Sequence, residues 1–180
     1  MKSSYNNSMT YKDLLENIVF LKKSKKIVEF GILEGFSLEI FAQDKECEID
    51  AYDIFEDFEG NGSDRNIIEK FKNHHNISIN YGDFYKKVDD IENNSLDILH
   101  IDIANNGDVY EFAIKNYMQK LKKDGLMILE GGSKERDEVD WMNKYQKRKI
   151  RPYLDNLNMV WKTFGEIPSI TIIKNDIFFQ

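Results

Sequence analysis

Ile27-Val28-Glu29-Phe30-Gly31-Ile32-Leu33-Glu34-Gly35-Phe36-Ser37 is the stretch that decides the fold. Ile27, Val28 and Phe30 predict a short buried strand, which Gly31 and Gly35 interrupt. Leu38, Ile40, Phe41 and Ala42 then supply the apolar positions of a helix. A strand, a glycine turn and a helix in that order aim helix N–H groups at whatever lies above the strand's carboxyl end. Gly31 suits a left-handed turn, and Gly35 lets a ligand approach the backbone. Glu29 is an acid where a purely structural strand would carry Val or Ile, which points to a small-molecule site. The plainer alternative is a first βα unit whose glycines only reverse the chain. A dinucleotide fingerprint is disfavoured, because G-x-G-x-x-G from Gly31 would need glycine at Leu33 and Phe36.

Upstream, residues 1–9 read as loosely attached. Thr10 can cap a helix with Asp13 at the reciprocal position, and Tyr11, Leu14, Leu15 and Ile18 form its apolar face. This helix either packs on the sheet, the favoured reading, or covers the mouth of the site. Downstream, Cys47 to Asp53 reads as a second strand and Ile67, Ile68 and Phe71 as a helix. Ile77 to Tyr81 reads as a third strand, ending in Gly82-Asp83, and Leu96 to Asp102 as a fourth. Tyr110, Ala113, Ile114, Tyr117, Met118 and Leu121 line one helical face, with Lys120, Lys122 and Lys123 at its carboxyl end and Gly125 as a stop. Leu126 to Glu130 is a fifth strand. Ser133 is expected to open a charged helix with Val139, Met142 and Trp141 inward. Residues 157–164 and 169–174 are expected to be strands, and the short connection through Gly165 and Pro168 makes them an antiparallel hairpin. The result is a single α/β domain over 1–180, with an extension (1–24) before a core (25–175). Its doubly wound, mostly parallel, seven-stranded sheet ends in an antiparallel hairpin.

Asp53, Asp83, Asp102 and Glu130 end consecutive strands, and that edge of an open parallel sheet is where ligands bind. Asp53 lies about 20 residues beyond Gly31, the spacing of a carboxylate that accepts both hydroxyls of a ribose. Each acid alone could cap a turn, Asp83 most readily. Asp102 and Glu130 face each other as hard oxygen ligands suited to Mg²⁺, Mn²⁺ or Ca²⁺ rather than zinc. Asp102 could instead act as a base without metal, and Glu130 could merely cap the helix after Ser133. His100 shares a strand face with Asp102 and is read as a buried, satisfied histidine or a catalytic base. Lys147, Arg148, Lys149 and Arg151 are the one basic cluster, read as the cationic end of a helix or as a seat for phosphates.

The totals set limits. The chain of 180 residues carries 25 basic and 32 acidic side chains, a net charge of -7, which argues against nucleic acid or an anionic membrane as the partner. One cysteine, Cys47, excludes an internal disulfide, and three histidines with it leave no Cys/His zinc site. No apolar run approaches the ~20 residues of a membrane span. The protein is expected to be soluble, cytoplasmic and homo-oligomeric, as a dimer.

The motifs Glu29-x-Gly31-x-x-x-Gly35-x-Ser37, Tyr52-Asp53-Ile54-Phe55-Glu56-Asp57-Phe58, Gly82-Asp83-Phe84 and His100-Ile101-Asp102 together resemble those of class I S-adenosylmethionine-dependent methyltransferases. More narrowly, they are similar to the sugar O-methyltransferases typified by macrocin O-methyltransferase. The resemblance spans about residues 25–175 and implies S-adenosylmethionine as cofactor, with Mg²⁺ as a further expectation. Glu29, Gly31 and Gly35 would frame its methionine part and Ser37 would add a hydroxyl. Asp53 would hold the ribose, Ile54 would pack on the adenine, and Asp83 with Phe84 would reach its other edge. Asp102 would stand between the methyl group and a hydroxylated small-molecule acceptor, as metal ligand or base. The chain departs from the pattern in two places. After the fourth strand it reads Ile103-Ala104-Asn105-Asn106-Gly107-Asp108, without the usual second acid, although Asn105 or Asp108 could substitute. The fifth strand ends Glu130-Gly131 rather than in two aspartates. The lack of an Asp/Asn-Pro-Pro-Tyr segment argues against a nucleic-acid base as acceptor. The rival readings are a non-methylating enzyme of the same fold and a binding partner that has lost turnover.

Overall fold

The computed structural model describes residues 10–57 and 62–176; the loose attachment expected of residues 1–9, together with Phe58, Gly60 and Asn61, lies outside the described residues. The sheet has seven strands: β1 (Lys26–Phe30), β2 (Glu48–Asp53), β3 (Ile77–Tyr81), β4 (Leu96–Ile101), β5 (Leu121–Glu130), β6 (Trp161–Gly165) and β7 (Ser169–Lys174). Their order is β3-β2-β1-β4-β5-β7-β6. The first five are parallel, and β7 runs antiparallel between β5 and β6, so the doubly wound sheet and its terminal hairpin are as expected.

Side-chain alternation along the strands builds two cores. Val28, Phe30, Leu99, Ile101, Met127 and Leu129 face one side and bury Tyr110, Ala113 and Tyr117 of α4 (Gly107–Tyr117), with Leu154 of α6 (Arg151–Asp155). Ile27, Ile49, Ala51, Ile98 and Ile128 face the other. Against them pack Leu14, Leu15 and Val19 of α1 (Tyr11–Lys22), Leu38, Ile40 and Phe41 of α2 (Phe36–Phe41), and Phe71 of α3 (Ile67–Phe71). The α1 start is the predicted reciprocal cap: Thr10 Oγ1 accepts from Asp13 N (3.1 Å) while Thr10 N donates to Asp13 Oδ2 (2.9 Å).

Glu29 pairs in register with His100 across β1 and β4, on the face that carries α1 and α2. Three segments differ from expectation. The helix expected from Ser133 is a 3₁₀ turn (Arg136–Glu138) and a short α5 (Asp140–Lys144). Buried Asp137 accepts from the N–H groups of Ile150 and Arg151, and Arg136 is drawn to Glu130, so both point inward and break a solvated helix. α4 stops at Tyr117, before a 3₁₀ turn (Met118–Lys120). Leu121 already pairs with Leu96, which places Gly125 inside β5 rather than at a helix end. β6 begins at Trp161 rather than residue 157, because α6 takes the chain before it.

At the amino edge of the sheet, Asp97 Oδ2 accepts from Lys25 N (2.9 Å), Lys26 N (3.0 Å) and Lys122 Nζ (2.9 Å). Burial raises this carboxyl, but these bonds outweigh it and hold it below its ordinary value. Asp97→Ala should therefore cost about 2 kcal/mol in urea unfolding at pH 7. The native carboxyl is the depressed one, so its contribution is full above the ordinary carboxylate range, around pH 4. It drains away as pH falls towards the native value, and the variant's deficit should shrink in step.

Candidate active site

The site grows from the turn after β1. Gly31 takes φ +88°, its N–H donating to Tyr52 O (2.9 Å), while Asp102 N donates to Phe30 O (2.8 Å). The turn is wedged between the carboxyl ends of β2 and β4. A Cβ on Gly31 would stand 2.0 Å from the Asp102 carbonyl oxygen, so no side chain fits. Leu33 holds a left-handed φ of 48° and is 54% exposed at the rim. Gly35, at φ 75°, starts α2, where a Cβ would meet the Phe71 ring at 2.7 Å.

Asp53 is a clamp. Its Oδ2 accepts from Ile32 N (2.8 Å) and its Oδ1 from Phe55 N (2.7 Å), tying the glycine turn to the segment after β2, with Ile54 half-buried between. Asp83 takes the turn role left open for it: Oδ1 accepts from Tyr85 N (2.9 Å) and Oδ2 pairs with Lys86 at 3.2 Å. Phe84 is buried in an aromatic cluster with Phe30, Phe112 and Tyr117.

Four polar side chains converge behind the turn. Glu29 and His100 are both fully buried, with His100 Nδ1 2.7 Å from Glu29 Oε1. Ser37 Oγ donates to the same oxygen from α2. His100 Nε2 lies 3.2 Å from the hydroxyl of Tyr11, the first residue of α1. In sequence Tyr11 belongs to the apolar face of α1, and the only local sign of its polar contact is a hydroxyl on an inward-facing position. Burial pulls the His100 imidazole down, but the Glu29 hydrogen bond and charge, with Asp102 behind, hold it above its ordinary value. Burial, then Asp102, Glu130 and Glu29 in turn, push the Tyr11 phenol far up, so it stays protonated.

In front of this group lies a cleft of about 910 Å³, bordered by Tyr11, Gly31, Phe36, Ser37, Asp102 and Glu130. The volume suits a sizeable organic ligand. Thus α1 both packs on the sheet and walls the cleft. Asp102 is open to the cleft solvent, yet the protein around it raises its carboxyl against the pull of His100 and Arg136. Burial also raises Glu130, which Arg136 opposes.

The expected divalent-metal pair does not fit. Both oxygens of Glu130 accept from Arg136, at Nε (2.5 Å) and Nη2 (2.8 Å), a bidentate bridge whose guanidinium charge already answers the carboxylate and repels a divalent cation beside it. Asn105 spends its Nδ2 on the backbone oxygens of Ile101 and Glu130, and Asp108 pairs with Arg148 at the surface. Among the described residues no group of three His, Cys, Asp or Glu side chains is placed to hold an ion. Three of the four basic side chains in the cluster are paired: Arg148 with Glu111, Lys149 with Glu138, and Arg151 with Asp155. Among the described residues no helix is long and apolar enough to cross a membrane.

The model of a family described as "Methyltransferase domain" matches residues 28–130. A search of curated proteins finds no match. Among solved structures, a candidate caffeoyl-CoA O-methyltransferase from Staphylococcus aureus is 16% identical, with a TM-score of 0.69 over 93% of this chain and 84% of that one. The methyltransferase PaMTH1 of Podospora anserina, solved with S-adenosylhomocysteine, is 15% identical, with a TM-score of 0.68 over 93% and 78%. An O-methyltransferase of Bacillus cereus, also bound to S-adenosylhomocysteine, is 17% identical, with a TM-score of 0.64 over 96% and 83%. At these identities the likeness establishes the fold.

Proposed function

Because the chain belongs to the methyltransferase-domain family, we propose that it carries the methyl group of S-adenosylmethionine to a hydroxyl of a small molecule, a sugar or a glycosylated metabolite. One observation carries the reading. The glycine turn is clamped to Asp53 on one side and wedged against Asp102 on the other, so a single loop joins a ribose-type carboxylate to an acid-lined cleft. Bound there, S-adenosylmethionine supplies a methyl group made electrophilic by a cationic sulfur. Glu34 and Asp102 border the cleft, and carboxyl groups there suit that charge. A carboxylate such as that of Asp53 is an acceptor of the kind a ribose hydroxyl donates to. Asp102 orients the acceptor hydroxyl, and positioning supplies much of the rate. Leu33 and Phe36, 54% and 65% exposed at the rim, offer an apolar platform that suits the non-sugar part of a glycosylated metabolite. No step is assigned to a metal ion.

Calorimetric titration with S-adenosylmethionine and S-adenosylhomocysteine tests the cofactor. Micromolar-range binding is expected, weakened at least about tenfold in Asp53→Ala, a loss of about 1.4 kcal/mol. No binding of either compound would sink the reading. Transfer of a deuterated methyl group, followed by mass spectrometry, should then favour an aryl glycoside over a methyl glycoside. Binding without transfer to any acceptor would favour the turnover-deficient partner protein.

A further inference from the structure

We propose that Tyr11 is a catalytic residue that takes the acceptor's proton and relays it to His100, which Glu29 holds in place; the inference rests on the methyltransferase reading of the same cleft. The geometry orders the three groups. In the relay the Nδ1 that lies 2.7 Å from Glu29 Oε1 donates to that oxygen and so carries the imidazole proton. Nε2 of the neutral ring is then an acceptor, and the hydroxyl of Tyr11, 3.2 Å away, is its donor. This is the hydroxyl–imidazole–carboxylate order in which a buried carboxylate fixes the tautomer and stabilises the imidazolium that forms.

A purely structural role accounts poorly for the arrangement. Burying a carboxylate and an imidazole completely between the two central strands is costly, where apolar side chains would fill the same space. Glu29 Oε1 receives both His100 and Ser37, whereas its Oε2 is buried with no hydrogen-bond partner, so the carboxyl group is only partly satisfied. Burial works against charging His100, but the Glu29 hydrogen bond and charge, with Asp102, favour the imidazolium that the relay forms. Tyr11 is placed at both ends of the path: it borders the cleft and touches His100.

The step balances. The acceptor's oxygen forms a bond to the methyl carbon as the carbon–sulfur bond breaks, and that electron pair stays on sulfur. The acceptor's proton passes to Tyr11 Oη while the phenolic proton passes to His100 Nε2. Tyr11 is neutral before and after, in keeping with a phenol held protonated, and His100 ends as imidazolium beside Glu29. The proton returns to solvent by the reverse path once product leaves.

Two measurements decide it. In full-length protein labelled with ¹⁵N-histidine and bound to S-adenosylhomocysteine, His100 at pH 8 should carry its proton on Nδ1. The Nε2 resonance should move on Tyr11→Phe. A protonated Nε2 would overturn the relay. With the aryl glycoside as acceptor, Tyr11→Phe should lower kcat at least about 100-fold while KM and S-adenosylmethionine affinity stay within about twofold. The Tyr11→Phe/His100→Gln pair should lose little more than Tyr11→Phe alone, because the two act as a unit. Asp102→Asn should retain more of kcat than Tyr11→Phe. A hydroxyl that only anchors α1 would lower the melting temperature and leave kcat within about threefold, and that result would also overturn the proposal. If the aryl glycoside is not methylated, the acceptor reading fails, and the tautomer measurement still decides the relay.

Discussion

Gly31→Ala should abolish measurable S-adenosylmethionine binding, a loss of at least about 100-fold, and lower stability by about 3–5 kcal/mol. Two causes add. At φ +88° an L-residue is strained by ~1–3 kcal/mol wherever it sits. The new methyl would also stand 2.0 Å from the Asp102 carbonyl oxygen and 2.7 Å from its carbon, both backbone atoms of the neighbouring strand end. Neither can swing aside as a flexible side chain would. The turn must shift, and it carries Ile32, whose N–H is held by Asp53. Calorimetry at temperatures where the variant is folded separates the two effects. A folded Gly31→Ala protein that binds within about threefold of wild type would show that the turn is not part of the cofactor site.

Arg136→Met should destabilise by about 3–5 kcal/mol, the cost of leaving a buried carboxylate without its cation. The side chains of Arg136 and Glu130 are only 8% and 16% exposed, and the guanidinium also lies 5.1 Å from the centre of the Trp141 ring. The pH dependence identifies the cause. Without Arg136 the carboxyl of Glu130, already raised by burial, rises further, so the native state holds a proton that the unfolded chain releases. The variant's deficit is then largest at neutral pH and shrinks as pH falls below the raised value. Adding Glu130→Gln should recover more than half of the loss. Thermal or denaturant melts at pH 5 and pH 7 check both, and a pH-independent deficit would assign the effect to lost packing on Trp141.

How far the sequence reached follows from the range of the physics involved. The Thr10 cap, the β1 glycine turn and the alternating strands β1 to β4 are settled within a few residues of chain and stand where they were expected, whereas β5 starts earlier and β6 later than their local pattern announced. Asp53 was recognised by spacing, but its clamp on Ile32 N joins residues on two strands and emerges only from the turn's three-dimensional path. Glu130 was read as a ligand because nothing local announces that Arg136 folds back on it. The inward turn of Arg136 and Asp137 is also what cuts the expected Ser133 helix short. His100 carried two readings, buried or catalytic. Which one holds depends on Tyr11, distant in sequence and brought close by α1 packing on that face of the sheet.

β1 and β4 sit in the middle of the sheet, paired on both sides and covered by helices on both faces. Their amide hydrogens should therefore exchange with deuterium only through global unfolding, whereas β6, at the free edge, exchanges through local opening. The protected amides include those of Glu29 and His100. The floor of the cleft is thus locked before any ligand arrives, and added S-adenosylmethionine should slow exchange in the turn after β1 and in the first turn of α1 while leaving β1 and β4 unchanged at their already maximal protection. Ligand binding has only the rim left to order.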